Sequence, residues 1–169
     1  MMKEDVGILA ARLVMGGLLA GHGAQKLFGA FEGPGRNGTA GMMESLGLQP
    51  GEHWGLAAGL AEFTGGTLTA LGFLNPLGPI GVLSAMAMAT GTVHWGKPVW
   101  VTKGGAELPL SNAAIALALA AVGPGRFSLD RALSLRVPGW LVGGAAFTAG
   151  EMVAAGLFGR AEPEQSASA

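Results

Sequence analysis

Side chains that could transfer protons recur at the ends of the long apolar segments of this sequence. His22 and Lys26 close the first apolar segment, and His94 closes the third. Glu107 precedes the fourth segment, while Glu62 lies in the middle of the second. Histidine titrates near neutral pH, lysine stabilises a developing negative charge, and a carboxylate can relay protons. These residue types therefore predict proton transfer to a polar group bound near one end of the apolar segments.

The composition predicts that these side chains belong to a membrane protein. Hydrophobic residues make up 50% of the 169 residues and charged residues only 12%, about half the usual charged fraction of a soluble domain. Ten Lys and Arg against eleven Asp and Glu form no basic stripe, which excludes nucleic acid as the partner. The chain has no cysteine, so disulfides, thiolate nucleophiles and iron–sulfur ligation are excluded as well.

Glycine and proline divide the chain into five apolar segments that could position these residues: 6–28, 54–74, 77–95, 108–122 and 137–158. A membrane-spanning helix needs about 20 apolar residues. We therefore predict an all-α fold, a polytopic membrane helix bundle of four core spans with a fifth, C-terminal hydrophobic helix. Residues 1–136 would form the four-helix domain, 137–160 the additional helix and 161–169 a disordered polar tail.

Two shorter helices are predicted outside the spans. The first covers residues 39–46 and would place Met42, Met43 and Leu46 on the membrane surface. The second follows the fourth span in "RFSLDRALSLR", where Ser128 would be its N-cap.

Consecutive spans alternate in direction, which predicts where the polar residues meet. The ends of spans one and three would share a membrane surface with the starts of spans two and four. His22, Lys26, His94 and Glu107 would then form one polar cluster, with Glu62 deeper in the membrane. For Glu62 we predict an ion pair with Arg12, which lies on an inward face of the first helix, because an unpaired charge in hydrocarbon is costly.

Each of these residues also has a structural interpretation. Arg12 and Glu62 could lock two helices together without taking part in chemistry. Lys26 could be an anchor that extends to the membrane surface. His22 and His94 could each cap or hydrogen-bond at an interface, and the tryptophans could belong to the interfacial aromatic belt.

The distribution of positive charge bears on orientation. With the N-terminus inside the cell, the inner surface would carry Lys3, Arg126, Arg131 and Arg136, and the outer surface Lys26, Arg36, Lys97, Lys103 and Arg160. We predict this orientation because the arginines that follow the fourth span are the densest cationic cluster in the chain.

Four glycine-rich motifs follow one another along residues 12–130: "ARLVMGGLLAGHGAQKLFGAFEGPGRNGTA", "GLAEFTGG", "TVHWGKPVWVTKGGAELPL" and "GPGRFSLD". In this order and spacing they resemble the DoxX family of small bacterial membrane proteins. Positions that match the family pattern are Arg12, His22, Gly23, Gln25, Lys26, Gly38, Thr39, Glu62, His94, Gly105 and Glu107. The apolar segment 137–158 goes beyond the four spans usual in the family.

The resemblance implies a multi-pass protein of the bacterial cytoplasmic (inner) membrane and a function in sulfur-linked or oxidative-stress-linked oxidoreduction. We therefore expect a quinone-interacting subunit of a membrane oxidoreductase, with catalytic residues His22, Lys26, Glu62, His94 and Glu107. The expected quinone-binding residues are His22, Lys26, His94 and Trp95. No flavin or nicotinamide motif is present, so a partner protein would supply the electrons.

Two alternatives remain open from the sequence. The first is a non-catalytic membrane scaffold, or accessory protein, that docks a soluble enzyme through its polar loops. The second is a b-type haem held between His22 and His94, which requires axial geometry that sequence does not define.

Overall fold

The computed structural model describes residues 2–160, and these residues form seven helices and no strand. The helices are α1 (Met2–Phe28), α2 (Gly35–Ser45), α3 (Gly51–Leu71), α4 (Leu77–Thr92), α5 (Glu107–Val122), α6 (Leu129–Ala132) and α7 (Gly139–Phe158). Short 3₁₀ turns follow α1 (Ala30–Glu32) and precede α5 (Val101–Lys103). The polar tail predicted at 161–169 lies outside the described residues.

The lengths and apolar character of the helices confirm the predicted class, a membrane helix bundle. Within residues 2–160, α1 and α7 are long and apolar enough to cross a membrane, and α4 and α5 are shorter apolar helices of 16 residues each. Helix α3 has 21 residues but carries Glu52, His53 and Glu62. Helix α7 begins and ends within two residues of the predicted 137–158.

Most helix ends agree with the sequence interpretation, and two of the differences change where a side chain lies. Helix α4 ends at Thr92 rather than at residue 95, so His94 lies in the loop that follows. Helix α2 begins earlier than predicted, at Gly35, and its Met43 is buried rather than on the membrane surface. The prediction for Ser128 is confirmed: it caps α6 by accepting a hydrogen bond from Arg131 N at 3.2 Å.

Helices α1 and α3 pack backbone against backbone because glycine occupies their contact. A Cβ atom built on Gly23 would lie 2.3 Å from Phe63 N, and one on Gly66 would lie 2.4 Å from Ala20 N. Gly59 leaves room for the side chain of Leu27 in the same helix pair. The order of these contacts makes the two helices antiparallel, and small residues allow such close approach in membrane bundles.

The remaining helices extend this pair into a bundle. Helix α4 runs antiparallel to α3, with Gly78 against Thr69, and α5 packs on α4. Helix α7 packs on α4 through Gly156 against Met88, and Leu157 against Gly91. The buried apolar core consists of Met15, Leu19, Val82, Ala85, Met86, Ala116 and Leu119.

These directions define two ends of the bundle. At the end that we call the Lys26 end, helices α1, α4 and α7 finish while α3 and α5 begin. At the opposite end, which we call the Arg12 end, α3 and α5 finish and the turn from α3 to α4 meets the segment that follows α5. The charged residues inside the bundle divide between these two ends.

Candidate functional site

A cavity of about 280 Å³ opens within the bundle near the Lys26 end. Its polar residues are Lys26, Glu62, Ser84, Thr92 and His94. Apolar side chains from α2, α3, α4 and α7 form the rest of its wall, among them Trp54, Met42, Met43, Met88 and Met152. The cavity is therefore apolar with a few polar groups, which is the usual character of a small-molecule site.

Lys26 and Glu62 form an ion pair in the wall of this cavity. Lys26 Nζ lies 2.5 Å from Glu62 Oε2, and the side chains are 19% and 10% exposed. The register of α1 against α3, which pairs Gly23 with Phe63 and Leu27 with Gly59, places Lys26 next to Glu62. Each charge is thus neutralised where hydrocarbon would otherwise surround it.

The predicted ion pair between Arg12 and Glu62 is wrong. The same antiparallel register places Arg12 beside the end of α3, at the Arg12 end of the bundle. There its guanidinium group donates to Thr69 O (3.0 Å), Ala70 O (2.9 Å), Phe127 O (3.0 Å) and Pro124 O. Carbonyls at helix ends lack intrahelical partners, so a five-donor guanidinium group can satisfy several of them at once.

Asp130 completes the contacts at the Arg12 end. Its carboxylate accepts hydrogen bonds from Leu74 N (2.7 Å) and Asn75 N (2.8 Å), which fixes the turn from α3 to α4. Asp130 is buried and interacts electrostatically with Arg12. The two residues therefore hold the α3–α4 turn to the segment after α5, far from the cavity.

His94 contributes an imidazole ring to the cavity from the loop after α4. Its Nδ1 lies 2.6 Å from Gly104 O. A carbonyl oxygen only accepts, so Nδ1 carries the proton, and in the neutral ring Nε2 is an acceptor. Nε2 makes no hydrogen bond to any residue of 2–160, so it can bond to a ligand.

Three other predicted site residues lie away from the cavity. His22 is on the exposed side of α1, where Nδ1 lies 3.2 Å from Gln25 Oε1. Glu107 accepts a hydrogen bond from Val101 N at 2.9 Å and so shapes the loop before α5. Trp95 is 80% exposed. The structure therefore brings together Lys26, Glu62 and His94, but not the whole predicted cluster.

A second, smaller cavity of about 200 Å³ lies on the other side of Lys26. We call it the vestibule; it is lined by Lys26, Leu27, Arg36, Asn37, Glu52, Gly55 and Leu56. Lys26 is the residue that the vestibule shares with the main cavity. The vestibule is polar where the main cavity is apolar, so the Lys26–Glu62 pair lies between two different environments.

Sequence reasoning missed the methionines of the main cavity and the part of its wall that α7 forms. Met42 and Met43 were placed on a surface helix, and α7 contributes Ala149, Met152 and Val153. The excess of methionine, eight residues in the chain, was the available signal. Methionine is flexible and polarisable, so it suits a wall that adapts to its ligand. Within residues 2–160, the His, Asp and Glu side chains form no group of three that could ligate a metal ion.

The comparison with protein families agrees with this architecture. The DoxX family model matches residues 7–95, more than half of the chain, so the protein belongs to the DoxX family. The match includes Lys26, Glu62 and His94 and ends before Glu107. No curated protein and no solved structure matches the chain.

Proposed function

We propose that this protein is the quinone-interacting subunit of a membrane oxidoreductase and crosses the bacterial cytoplasmic membrane several times. The observation that supports the proposal is one cavity with an apolar, methionine-rich wall and a polar end made by Lys26, Glu62 and His94. A quinone has the same two parts, a ring with two oxygens and an apolar tail. Membership of the DoxX family adds support for a membrane location.

The dimensions of the cavity fit the ring rather than the whole molecule. Small-ligand pockets usually measure about 300–1,000 Å³, and this cavity is slightly below that range at about 280 Å³. The tail would therefore leave the cavity between α4 and α7, where Met88, Met152 and Val153 form the wall. These apolar side chains would contact the quinone tail when the site is occupied and lipid when it is empty.

The polar residues of the chain would hold and orient the ring. Lys26 Nζ would donate a hydrogen bond to one oxygen and stabilise negative charge there, while Glu62 keeps the ammonium group in position. His94 Nε2 would accept from a hydroxyl of the reduced ligand or, once protonated, donate to a carbonyl. A bound quinone supplies two-electron, two-proton redox chemistry.

The vestibule supplies a route by which protons could reach this site. It contains Glu52 and Arg36 and ends at Lys26, whose partner Glu62 lines the main cavity. A proton held on the Glu62 carboxylate would be exchanged with water from the Lys26 end. We therefore propose that proton exchange uses the membrane surface nearest to Lys26.

Electrons would come from a partner protein. The chain contains no flavin or nicotinamide motif, and its glycines lie in helix contacts and turns. The haem alternative is not supported by the placement of its two proposed ligands. His94 lines the cavity, whereas His22 lies on the exposed side of α1 and bonds to Gln25.

A scaffold function is the second candidate because of the loop between α4 and α5. The loop is tied down by His94 to Gly104 and by Glu107 to Val101, yet it exposes Trp100. Ordered exposed aromatic residues are common at protein interfaces and also at membrane surfaces. In this function the cavity would have no quinone in it.

Quinone binding by the purified protein in nanodiscs tests the proposal. The wild-type chain should bind a short-chain ubiquinone or menaquinone analogue, and native lipid extracts of the preparation should contain quinone. His94→Gln should weaken binding about tenfold or more, because it removes the imidazole that would contact the ligand. Glu62→Gln should weaken it by a similar factor, because Lys26 Nζ loses the carboxylate that holds it in position.

The matched control is His53→Gln, because His53 is exposed near the same end of the bundle but does not line the cavity. It should leave binding unchanged. His22→Gln separates the sequence-based cluster from the cavity: loss of binding in that variant would favour the cluster. If no quinone binds and none is extracted, the scaffold function is favoured instead.

A further inference from the structure

An open, arginine-lined groove of about 750 Å³ lies at the Arg12 end, opposite the proposed quinone site. Its side chains include Arg126, Arg131 and Arg136, together with Asp5 and Asp130. All three arginine side chains are exposed, and none has an ion-pair or hydrogen-bond partner within residues 2–160. Three exposed guanidinium groups around one groove could bind an anion from outside the described chain.

Both carboxylates of the groove accept hydrogen bonds from backbone N–H groups. Both oxygens of Asp130 accept backbone N–H groups, and its charge is offset by the buried Arg12. Asp5 Oδ1 accepts from the backbone N–H of Arg126 at 3.0 Å. The groove keeps a net positive charge, because its three arginines outnumber Asp5 and Asp130 and the charge of Asp130 is also offset by Arg12.

The backbone beneath the arginines is rigidly held. Arg12 binds Phe127 O, Ser128 Oγ binds Gly125 O at 2.7 Å, and Asp130 N donates to Gly72 O at 3.0 Å. The contacts of Arg126 and Arg131 use their backbone N–H groups. The guanidinium groups are thus displayed from a fixed frame, which lowers the entropy lost when they bind.

Apolar side chains surround the same segment. Phe127, Leu133 and Leu135 are 49%, 58% and 39% exposed, and they lie between Arg126 and Arg136 in the same segment. At the end of a membrane bundle, such a segment lies at the boundary between headgroups and acyl chains. A small soluble anion would make no contact with these apolar side chains, whereas a lipid would.

We propose that this groove binds the phosphodiester headgroup of an anionic phospholipid. Arginine forms paired hydrogen bonds with phosphate oxygens. The exposed Phe127, Leu133 and Leu135 would contact the first carbons of the acyl chains. The site is independent of quinone binding, because the groove and the cavity share no lining residue.

Lipid retention by the purified full chain tests the proposal. Wild-type protein should retain phosphatidylglycerol over phosphatidylcholine with the same acyl chains in native mass spectrometry, and phosphatidylglycerol should raise its unfolding temperature. Arg131→Gln with Arg136→Gln should reduce affinity for phosphatidylglycerol about tenfold or more, since it removes two of the three cations that would attract the anionic headgroup. The structural hydrogen bonds use backbone atoms, so this variant should fold.

The matched control removes two cations from the Lys26 end, Lys97→Gln with Lys103→Gln, and should leave retention unchanged. Arg131→Lys with Arg136→Lys should recover part of the affinity, and it keeps the proposal testable if the glutamine variant does not fold. Equal loss in the control, or equal retention of both lipids by wild type, would overturn the proposal. The proposal would also be overturned if glycerol 3-phosphate or an acidic peptide raised the unfolding temperature as much as phosphatidylglycerol does.

Discussion

Arg12 and Lys26 lie on the same helix, and each has a different set of partners for its charge. Lys26 meets a single carboxylate, Glu62, at the edge of a cavity. Arg12 meets four backbone carbonyls and no carboxylate within salt-bridge distance among the described residues. A carboxylate can take and release a proton, whereas a carbonyl cannot, so the hydrogen-bond partners of Arg12 cannot exchange protons with it as Glu62 could with Lys26.

The Lys26–Glu62 pair should be energetically coupled. Lys26→Met and Glu62→Gln should each destabilise the protein by about 3–5 kcal/mol, because each leaves a buried group of the other residue unpaired. The double variant should be less destabilised than the sum of the single variants. A double-mutant cycle from thermal or denaturant unfolding in detergent measures this coupling, and a coupling energy of zero would contradict the pair.

Arg12→Lys should destabilise the protein although it keeps the charge. An ammonium group has three donors at one point, whereas the guanidinium group reaches carbonyls of both the α3 end and the segment after α5. We expect a loss of about 2–4 kcal/mol, because hydrogen bonds to charged groups contribute about 1.5–3 kcal/mol each and are not additive. Unfolding temperature in detergent is the measurement, and Arg36→Lys, on the exposed side of α2, is the control.

At the scale of elements, two glycines of α1 test how much the backbone contact between α1 and α3 contributes to stability. Gly23→Ala would place Cβ 2.6 Å from Phe63 Cα, and neither backbone can move without separating the helices. We expect destabilisation of about 1–3 kcal/mol or more from overpacking.

Gly21→Ala is the control on the same helix, because nothing lies within 4 Å of the Cβ position there. It should be neutral or stabilising by about 0.5–1 kcal/mol, since alanine has less conformational freedom to lose than glycine. Comparable destabilisation by both variants would show that the α1–α3 contact is not what sets the effect, because alanine favours a helix more than glycine does.

Helix α7 should be needed for binding but not for the rest of the fold. It has a single buried residue, Gly156, and yet contributes Ala149, Met152 and Val153 to the cavity. A chain that ends after Arg136 should insert in the membrane and keep its helical circular dichroism. It should bind the quinone analogue at least tenfold more weakly; unchanged binding would remove α7 from the proposed site.

The sequence predicted the helices more fully than the contacts between them. Composition and glycine–proline breaks were sufficient for the helix class, and Ser128 was predicted correctly as a cap. The partner of Glu62 was predicted wrongly, because helix direction alone leaves the register of α1 against α3 undetermined. That register depends on glycine contacts such as Gly23 with Phe63, which involve residues 40 positions apart.

The location of the candidate site was predicted in part for the same reason. Lys26, Glu62 and His94 were expected near one surface, and the structure places them around one cavity. His22 was expected beside them, but the helical rotation of α1 turns it to the exposed side. Whether any of these residues is catalytic stays a prediction.

At the scale of the whole molecule, the direction of the helices predicts which segments share a membrane surface. Asn37 and Lys103 are exposed at the Lys26 end, and Arg136 is exposed at the Arg12 end. Because the chain has no natural cysteine, Asn37→Cys, Lys103→Cys and Arg136→Cys each provide a single thiol. A membrane-impermeant maleimide applied to intact cells or spheroplasts should either label both Asn37→Cys and Lys103→Cys but not Arg136→Cys, or label Arg136→Cys but neither of the other two. Different labelling of the first two would contradict the helix directions.

The hydrogen bonds of Arg12 have a consequence for how the protein is made. The carbonyls that bind its guanidinium group belong to residues 57 to 115 positions later in the chain. During translation, Arg12 is synthesised before Thr69, and Phe127 follows only after most of the bundle has been made. The insertion machinery must therefore keep a charged first helix at the edge of the bilayer, or shelter it, until the segment after α5 is synthesised. Completion of the Arg12 end is thus a late step in biogenesis, even though Arg12 is among the first residues to reach the membrane.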